Sequence, residues 1–266
     1  MSLDIVVCIK QVPDPQHFSK ITLDPVKQTI RREGIPAIMN PLDRHAVEEA
    51  LRLREKYAGK VTAITMGPPQ AAEILQDACA MGVNDVILLS DRVFAGADSL
   101  ATVYPLAAAI QKIGKFDLVI CGNESVDGAT QQVGPQLAEL LGIPHVTYVK
   151  KIENFADGSM TVKRVIEQGY LKIHLQLPAL ITVVKEINEY RLPTVMAIME
   201  ATCKEITVWS NNDIHADGEK IGLDGSPTNV FGVFEQKSTR KRNMLKGTPE
   251  EVAKQAVQWL RKLEAM

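Results

Sequence analysis

Apolar residues gather in short unbroken runs along the first two-thirds of the chain, at 5–9, 61–66, 86–90 and 118–121. A strand with one wet face alternates apolar and polar side chains, whereas one covered on both faces reads as a continuous run. The four runs therefore predict inner strands of a parallel sheet. Between them the period lengthens to that of a helix, over 42–57, 70–81, 99–113 and 130–141. In the first of these, Leu42, Ala46, Ala50, Leu53 and Tyr57 share a face. Asn40 stands where a cap belongs, Pro41 opens the first turn, and Asp43 lies near the positive end of the dipole. Such alternation predicts an α/β fold with a doubly wound, mostly parallel sheet.

Beyond Pro144 the pattern changes. Segments 161–167 and 170–177 alternate on either side of Gln168-Gly169, as the arms of a β-hairpin do. A third apolar run, 180–184, can join either the hairpin or the main sheet. From 213 to 248 the chain is polar and without period. An amphipathic helix then starts at Thr248-Pro249-Glu250-Glu251, with Val252, Ala256, Trp259 and Leu263 on one face. A long irregular segment is uncommon inside a compact domain. We expect an α/β domain with its hairpin over 1–212, and a C-terminal arm over 213–266 that packs on a partner subunit.

Composition narrows the classes. The chain has 266 residues, 45% hydrophobic and 23% charged, enough for a full core without staples. Thirty basic against thirty-two acidic residues, with 5% aromatics, argue against nucleic acid as the main partner. Cys8, Cys79, Cys121 and Cys203 lie far apart with no Cys-x-x-Cys pair, so reduced thiols and no metal site are expected. No apolar stretch approaches the roughly 20 residues that span a bilayer. No signal peptide is recognisable. A cytoplasmic location without membrane insertion follows as the expectation. The basic cluster Lys237, Arg240, Lys241, Arg242 and Lys246 reads as solvated surface or as a docking patch for an acidic partner.

Motifs for nucleotide hydrolysis, metalloproteases and nucleophilic hydrolases are absent, and the five histidines are scattered, so no catalytic side chain is assigned. In open α/β sheets, ligands bind outside the carboxyl ends of the strands. Those ends read Cys8-Ile9-Lys10, Met66-Gly67-Pro68, Ser90-Asp91 and Cys121-Gly122-Asn123. Glycines at two of them let a planar ligand approach the backbone. The last strand leads into Asp127-Gly128-Ala129-Thr130-Gln131-Gln132-Val133-Gly134-Pro135, which opens a helix. This segment is either a phosphate cradle of backbone N–H groups and the Thr130 hydroxyl, or a plain helix entry capped by Asp127 or Thr130.

Four segments, in this order and spacing, carry a resemblance: Val7-Cys8-Ile9-Lys10-Gln11-Val12-Pro13, Met39-Asn40-Pro41-Leu42-Asp43, Thr65-Met66-Gly67-Pro68-Pro69, and Gly122 through Pro135. Over nearly its whole length the chain resembles the β-subunit of an electron-transferring flavoprotein. The resemblance implies a non-autonomous subunit that pairs with an α-subunit holding an FAD and serves an FAD-dependent dehydrogenase. Ordinary members of that family hold AMP at the carboxyl edge of the sheet; bifurcating members hold a second FAD there.

Asp127-Gly128-x-Thr130 followed by Gln132-Val133-Gly134-Pro135, and Gly96-Ala97-Asp98-Ser99-Leu100-Ala101-Thr102, are similar to the bifurcating type. Ala129 stands where such members commonly carry an acid. The resemblance then implies FAD as cofactor, NADH as electron donor, and ferredoxin or flavodoxin as the low-potential acceptor. It places Cys8, Asn40, Asp43, Met66 and Gly67 at the adenine and ribose. Ser99, Thr102, Cys121, Gly122 and Asn123 come beside the rest of the FAD, with Asp127, Gly128, Thr130, Gln131, Gln132, Val133, Gly134 and Pro135 forming its phosphate loop. The family's recognition loop maps onto 188–196, where Asn188, Tyr190, Arg191 and Val195 meet the dehydrogenase, Val195 as the apolar anchor. Two other readings stand beside this one. One is a non-bifurcating carrier subunit with structural AMP. The other is a stand-alone nucleotide-binding protein of the universal-stress type.

Overall fold

The computed structural model describes residues 2–20, 22–23, 30–31, 34–156, 158–229 and 244–264. In chain order these form β1 (Leu3–Cys8), β2 (Gln11–Pro13), the short β3 (Thr22–Leu23) and β4 (Ile30–Arg31), β5 (Ala37–Met39) and α1 (Pro41–Tyr57). There follow β6 (Gly59–Met66), α2 (Ala72–Met81), β7 (Asp85–Leu89), α3 (Ser99–Ile113), β8 (Leu118–Gly122) and α4 (Val133–Leu141). Next come β9 (His145–Ala156), β10 (Ser159–Ile166), β11 (Gly169–Gln176), β12 (Ala179–Val183), α5 (Val195–Thr202), β13 (Thr207–Trp209), α6 (Asn211–Ile214) and α7 (Pro249–Glu264).

One nine-stranded sheet organises the molecule up to Phe231, in the order β11-β10-β9-β12-β8-β1-β6-β7-β13. The stretch from β9 to β13 is parallel, and β10 and β11 continue it antiparallel. The inner strands are apolar on both faces because helices cover both. Leu3, Ile5 and Val7 of β1 turn toward the face of α1 and α2, where they meet Val47, Ala50, Leu51, Ile74 and Leu75. Val6 and Cys8 turn the other way, toward Val103, Leu106 and Ile110 of α3 and Leu137 of α4. From β1 the chain winds outward through β6 and β7, then returns to the opposite side for β8 and β12. The order thus reverses between β1 and β8, and a crevice opens at their carboxyl ends.

Of the two places open to the run 180–184, it takes the main sheet, as β12. The hairpin expected over 161–177 forms as β10 and β11 and extends that same sheet through β9, which the apolar pattern did not disclose. Residues from 213 do not leave the domain at once. Ile214 and Ile221 are buried in the core beside α3.

The second unit comprises residues 232–266. Its helix α7 begins with a reciprocal cap: Thr248 N–H donates to Glu251 Oε2 at 2.9 Å, and Glu251 N–H donates to Thr248 Oγ1 at 3.4 Å. Val257, Trp259 and Leu260 are exposed on it. Of the expected basic cluster, Lys237, Arg240, Lys241 and Arg242 lie outside the described residues. Among those described, no helix is long and apolar enough to cross a membrane, and no three metal-binding side chains cluster.

Candidate functional site

The crevice at the strand reversal widens into a cavity of about 1090 Å³. Of the cofactor residues expected from sequence, Cys8, Asn40, Asp43, Met66, Gly67, Ser99, Thr102, Cys121, Gly122, Asn123, Asp127, Gly128, Thr130, Gln131, Gln132, Val133 and Gly134 all line it. Pro135 does not: it belongs to the first turn of α4, beyond the wall.

The floor is built where α1 enters behind β1 and β8. Asn40 was expected to cap α1, but its side chain makes no capping bond. Its amide instead donates to Asp43 Oδ1 at 3.0 Å and to the carbonyl of Glu124 at 2.8 Å, while Val126 N–H donates to Asn40 Oδ1 at 3.1 Å. Asn40 thus anchors the loop after β8. Asp43 accepts from the N–H of Lys10 at 2.8 Å. Burial pushes its carboxyl up to about 7, outweighing the bonds from Asn40 and the backbone of Lys10 and Gly122. Gly122 is required here, because a methyl group at this position would overlap the Asp43 carboxylate. Beside it, the thiol of Cys121 is pushed well above its ordinary range, first by neighbouring Cys8 and then by burial.

The loop 123–132 departs from expectation. The helix opens at Val133, and neither Asp127 nor Thr130 caps it. Asp127 is engaged elsewhere, with Lys10 Nζ donating to it at 2.6 Å and to Ser125 Oγ at 3.3 Å. Ala129 (φ 47°) and Gln131 (φ 60°) both adopt left-handed backbone. For non-glycine residues this costs of order 1–3 kcal/mol each, and such strain clusters at functional loops. The loop is held by its side chains. Gln131 donates to Glu124 Oε2 at 2.6 Å and accepts from the Tyr148 hydroxyl. Thr182 Oγ1 donates to Asn123 Oδ1 at 2.8 Å and accepts from Tyr148 N–H at 3.2 Å.

Gln131 in left-handed and Gln132 in right-handed backbone set successive N–H groups into a concave nest. This leads directly into the first turn of α4, where no side chain caps the free N–H groups. Across the cavity, α3 begins with its own cap. Asp98 accepts from Ala101 N–H at 2.9 Å, and from the N–H and hydroxyl of Thr228 at 3.0 and 2.6 Å. Ser99 Oγ spans the gap to donate to Gln132 Oε1 at 2.9 Å. The rim carboxylates Asp98 and Asp127 are therefore engaged, and the backbone donors at α4 line the cavity together with two cations, Arg92 and the Asp127-paired Lys10. Lys10 was not singled out from sequence, although its place directly after β1 was the available signal. Asp91, at the end of β7, lines the cavity as well and is engaged with the N–H groups of Val93 and Asn211.

A second feature lies on the opposite side of α1. Asn188 donates to the carbonyl of His45 and to Glu49 Oε2, each at 3.0 Å. Tyr190 packs edge-on against His45, with ring centroids 5.1 Å apart. Arg191 donates to Glu48 Oε2 at 2.8 Å and to Glu55 Oε1 at 2.6 Å. Burial pushes the Glu48 carboxyl up, but bonds from Arg191 and Arg52 more than reverse this and hold it below its ordinary value. Asn188, Tyr190 and Arg191 thus turn their side chains onto α1. Val195, the first residue of α5, is 74% exposed, and Leu192, Met196 and Met199 are exposed around it.

With this geometry in hand, comparison with known proteins identifies the surroundings. The electron transfer flavoprotein domain matches residues 28–214. The chain is 47% identical over 228 residues to "Electron transfer flavoprotein subunit beta" of Clostridium acetobutylicum, covering 86% of each chain. It is 45% identical over 245 residues to "Caffeyl-CoA reductase-Etf complex subunit CarD" of Acetobacterium woodii, covering 92% of each. It is 41% identical over 254 residues to "Acryloyl-CoA reductase electron transfer subunit gamma" of Anaerotignum propionicum, covering 93% of this chain and 94% of that one.

Proposed function

This chain belongs to the electron transfer flavoprotein family as a β-subunit, and from that premise we propose that it holds the second FAD of an electron-bifurcating complex. The observation that supports the reading is the reach of the cavity. At about 1090 Å³ it lies just above the usual range of small-molecule sites, roughly 300–1,000 Å³. Its lining extends from Asn40 and Gly67 to Val133 and Gly134 at the uncapped turn of α4, so a nucleotide pocket and a phosphate-receptive turn share one cavity. When bound, FAD supplies hydride acceptance from NADH, one-electron delivery to ferredoxin or flavodoxin, and delivery through the α-subunit FAD to a partner dehydrogenase.

The protein's own part is to bind and orient. Asn40, Met66 and Gly67 shape the adenine end, while the nest at 131–132 and the first turn of α4 receive the diphosphate. Lys10 balances charge beside Asp127. The tip formed by Leu192, Val195 and Met196 meets the dehydrogenase. Its stem residues, Asn188 and Arg191, hold the tip in position rather than touching the partner. The unit 232–266 docks on the α-subunit, in a cytoplasmic complex.

Gly128→Val tests the site. A Cβ at Gly128 would stand 3.3 Å from Ser125 Oγ, a close contact relieved if that side chain shifts by a few tenths of an ångström, and a melting curve of the variant checks that the fold is kept. The αβ complex carrying it is expected to lose one FAD selectively, and NADH-driven ferredoxin reduction with it. Transfer between the α-subunit flavin and the dehydrogenase is retained. Unchanged flavin content in the variant counts against the assignment of this loop.

A further inference from the structure

We propose that Cys8 and Cys121 form a dithiol site in the cavity floor that closes reversibly to a disulfide when the nucleotide is out. Both side chains line the cavity and both are free thiols. They occupy partner positions in the parallel register of β1 and β8. They also point to the same face of the sheet, into the core beside α3 and α4. Paired strands run about 4.7–4.9 Å apart, inside the Cα span of about 4.4–6.8 Å that a disulfide bridges. Side chains directly opposite each other hold their Cβ atoms somewhat wider than a relaxed disulfide prefers. The bond is therefore strained and easily reduced, as labile regulatory disulfides are.

The surroundings keep the pair reduced by default. Cys8 is 8% and Cys121 4% exposed, so an oxidant reaches them only through the cavity that the nucleotide fills. The oxidant is a small two-electron thiol acceptor. With a low-molecular-weight disulfide, the Cys8 sulfur first displaces one thiol to give a mixed disulfide. Cys121 then attacks that bond and releases the second thiol. Each cysteine gives up its hydrogen, one protein S–S bond forms, and the two electrons and two protons leave on two small thiols. The closed bond ties together the strand ends on either side of the reversal point, where the nucleotide must lie. An oxidised chain is therefore slow to refill. Only this gating rests on the nucleotide reading; the bond itself does not.

The test uses the full chain with Cys79→Ser and Cys203→Ser, leaving the proposed pair as its only thiols, and diamide as oxidant. The expected result is a loss of two hydrogens from the intact mass, one cross-linked peptide pair containing Cys8 and Cys121, and reversal by dithiothreitol. Added FAD or AMP should slow the cross-link. Two thiols that still alkylate after diamide treatment and denaturation, or cross-links only between chains, overturn the site. A cross-link that forms equally fast with and without nucleotide overturns the gating alone. Cys8→Ser and Cys121→Ser, each added singly to that background, must abolish the intramolecular bond.

Discussion

Asp43 concentrates the physical tension of the site in one side chain. Its carboxyl is lifted by burial from 3.8 to about 7, although the polar groups around it all favour the charged form. Between those two values the folded chain keeps a proton that the unfolded chain has released. Unfolding then releases that proton, so this contribution to stability is fully present below about 4, falls as pH rises toward 7, and is flat above. The span corresponds to roughly 4 kcal/mol. Glu49, also raised by burial, acts in the same sense. In urea unfolding, Asp43→Asn is expected to flatten the fall in stability between pH 5 and 7.5 relative to the parent. Equal slopes in the two proteins contradict the assignment. Gly122 belongs to the same arrangement, since the carboxylate occupies the space that any Cβ there would need.

At the level of elements, α1 serves two sites: its first turn floors the cavity, and its later turns grip the stem of the exposed loop through Glu48, Glu49 and Glu55. Arg191 keeps about a third of its side-chain surface in water, so losing its bonds to Glu48 costs about 1–2 kcal/mol rather than the larger loss of a fully buried pair. Arg191→Ala is therefore expected to leave the fold intact, to speed hydrogen exchange across 188–192, and to slow electron delivery to the dehydrogenase. Val195→Asp, at a position already facing solvent, should stop that delivery with no loss of stability or flavin. Delivery at the parent rate in both variants removes the loop from the interface.

These elements also show what sequence can disclose. The doubly covered strands were legible because burial on both faces demands unbroken apolar runs, as in 61–66 and 118–121. Strand β9 was not, because Lys150, Lys151, Glu153 and Asn154 interrupt its pattern where it pairs outward with β10. The start of α4 was misplaced because Asp127 and Thr130 have the chemistry of caps. In the fold, Asp127 meets Lys10, and left-handed residues at 129 and 131 delay the helix. Strand-end reasoning found the wall at 8–10, 66–68, 90–91 and 121–123, since topology alone brings those ends together, whereas Asn40, Asp43, Ser99 and Thr102 came from the family resemblance. The pairing of Lys10 with Asp127 and the stem contacts to α1 required the tertiary fold.

For the whole molecule, isolated apolar residues in a polar stretch decide where the first unit ends. Ile214 and Ile221 enter the core, and Ser226 and Thr228 bond to the start of α3. Removal of 232–266 is accordingly expected to give a chain that no longer copurifies with the α-subunit. Copurification in equal amounts contradicts the docking role of that unit. If the cavity holds a dinucleotide, the purified αβ complex releases two FAD and no AMP per heterodimer on denaturation. One FAD with one AMP contradicts it and leaves a non-bifurcating carrier in its place.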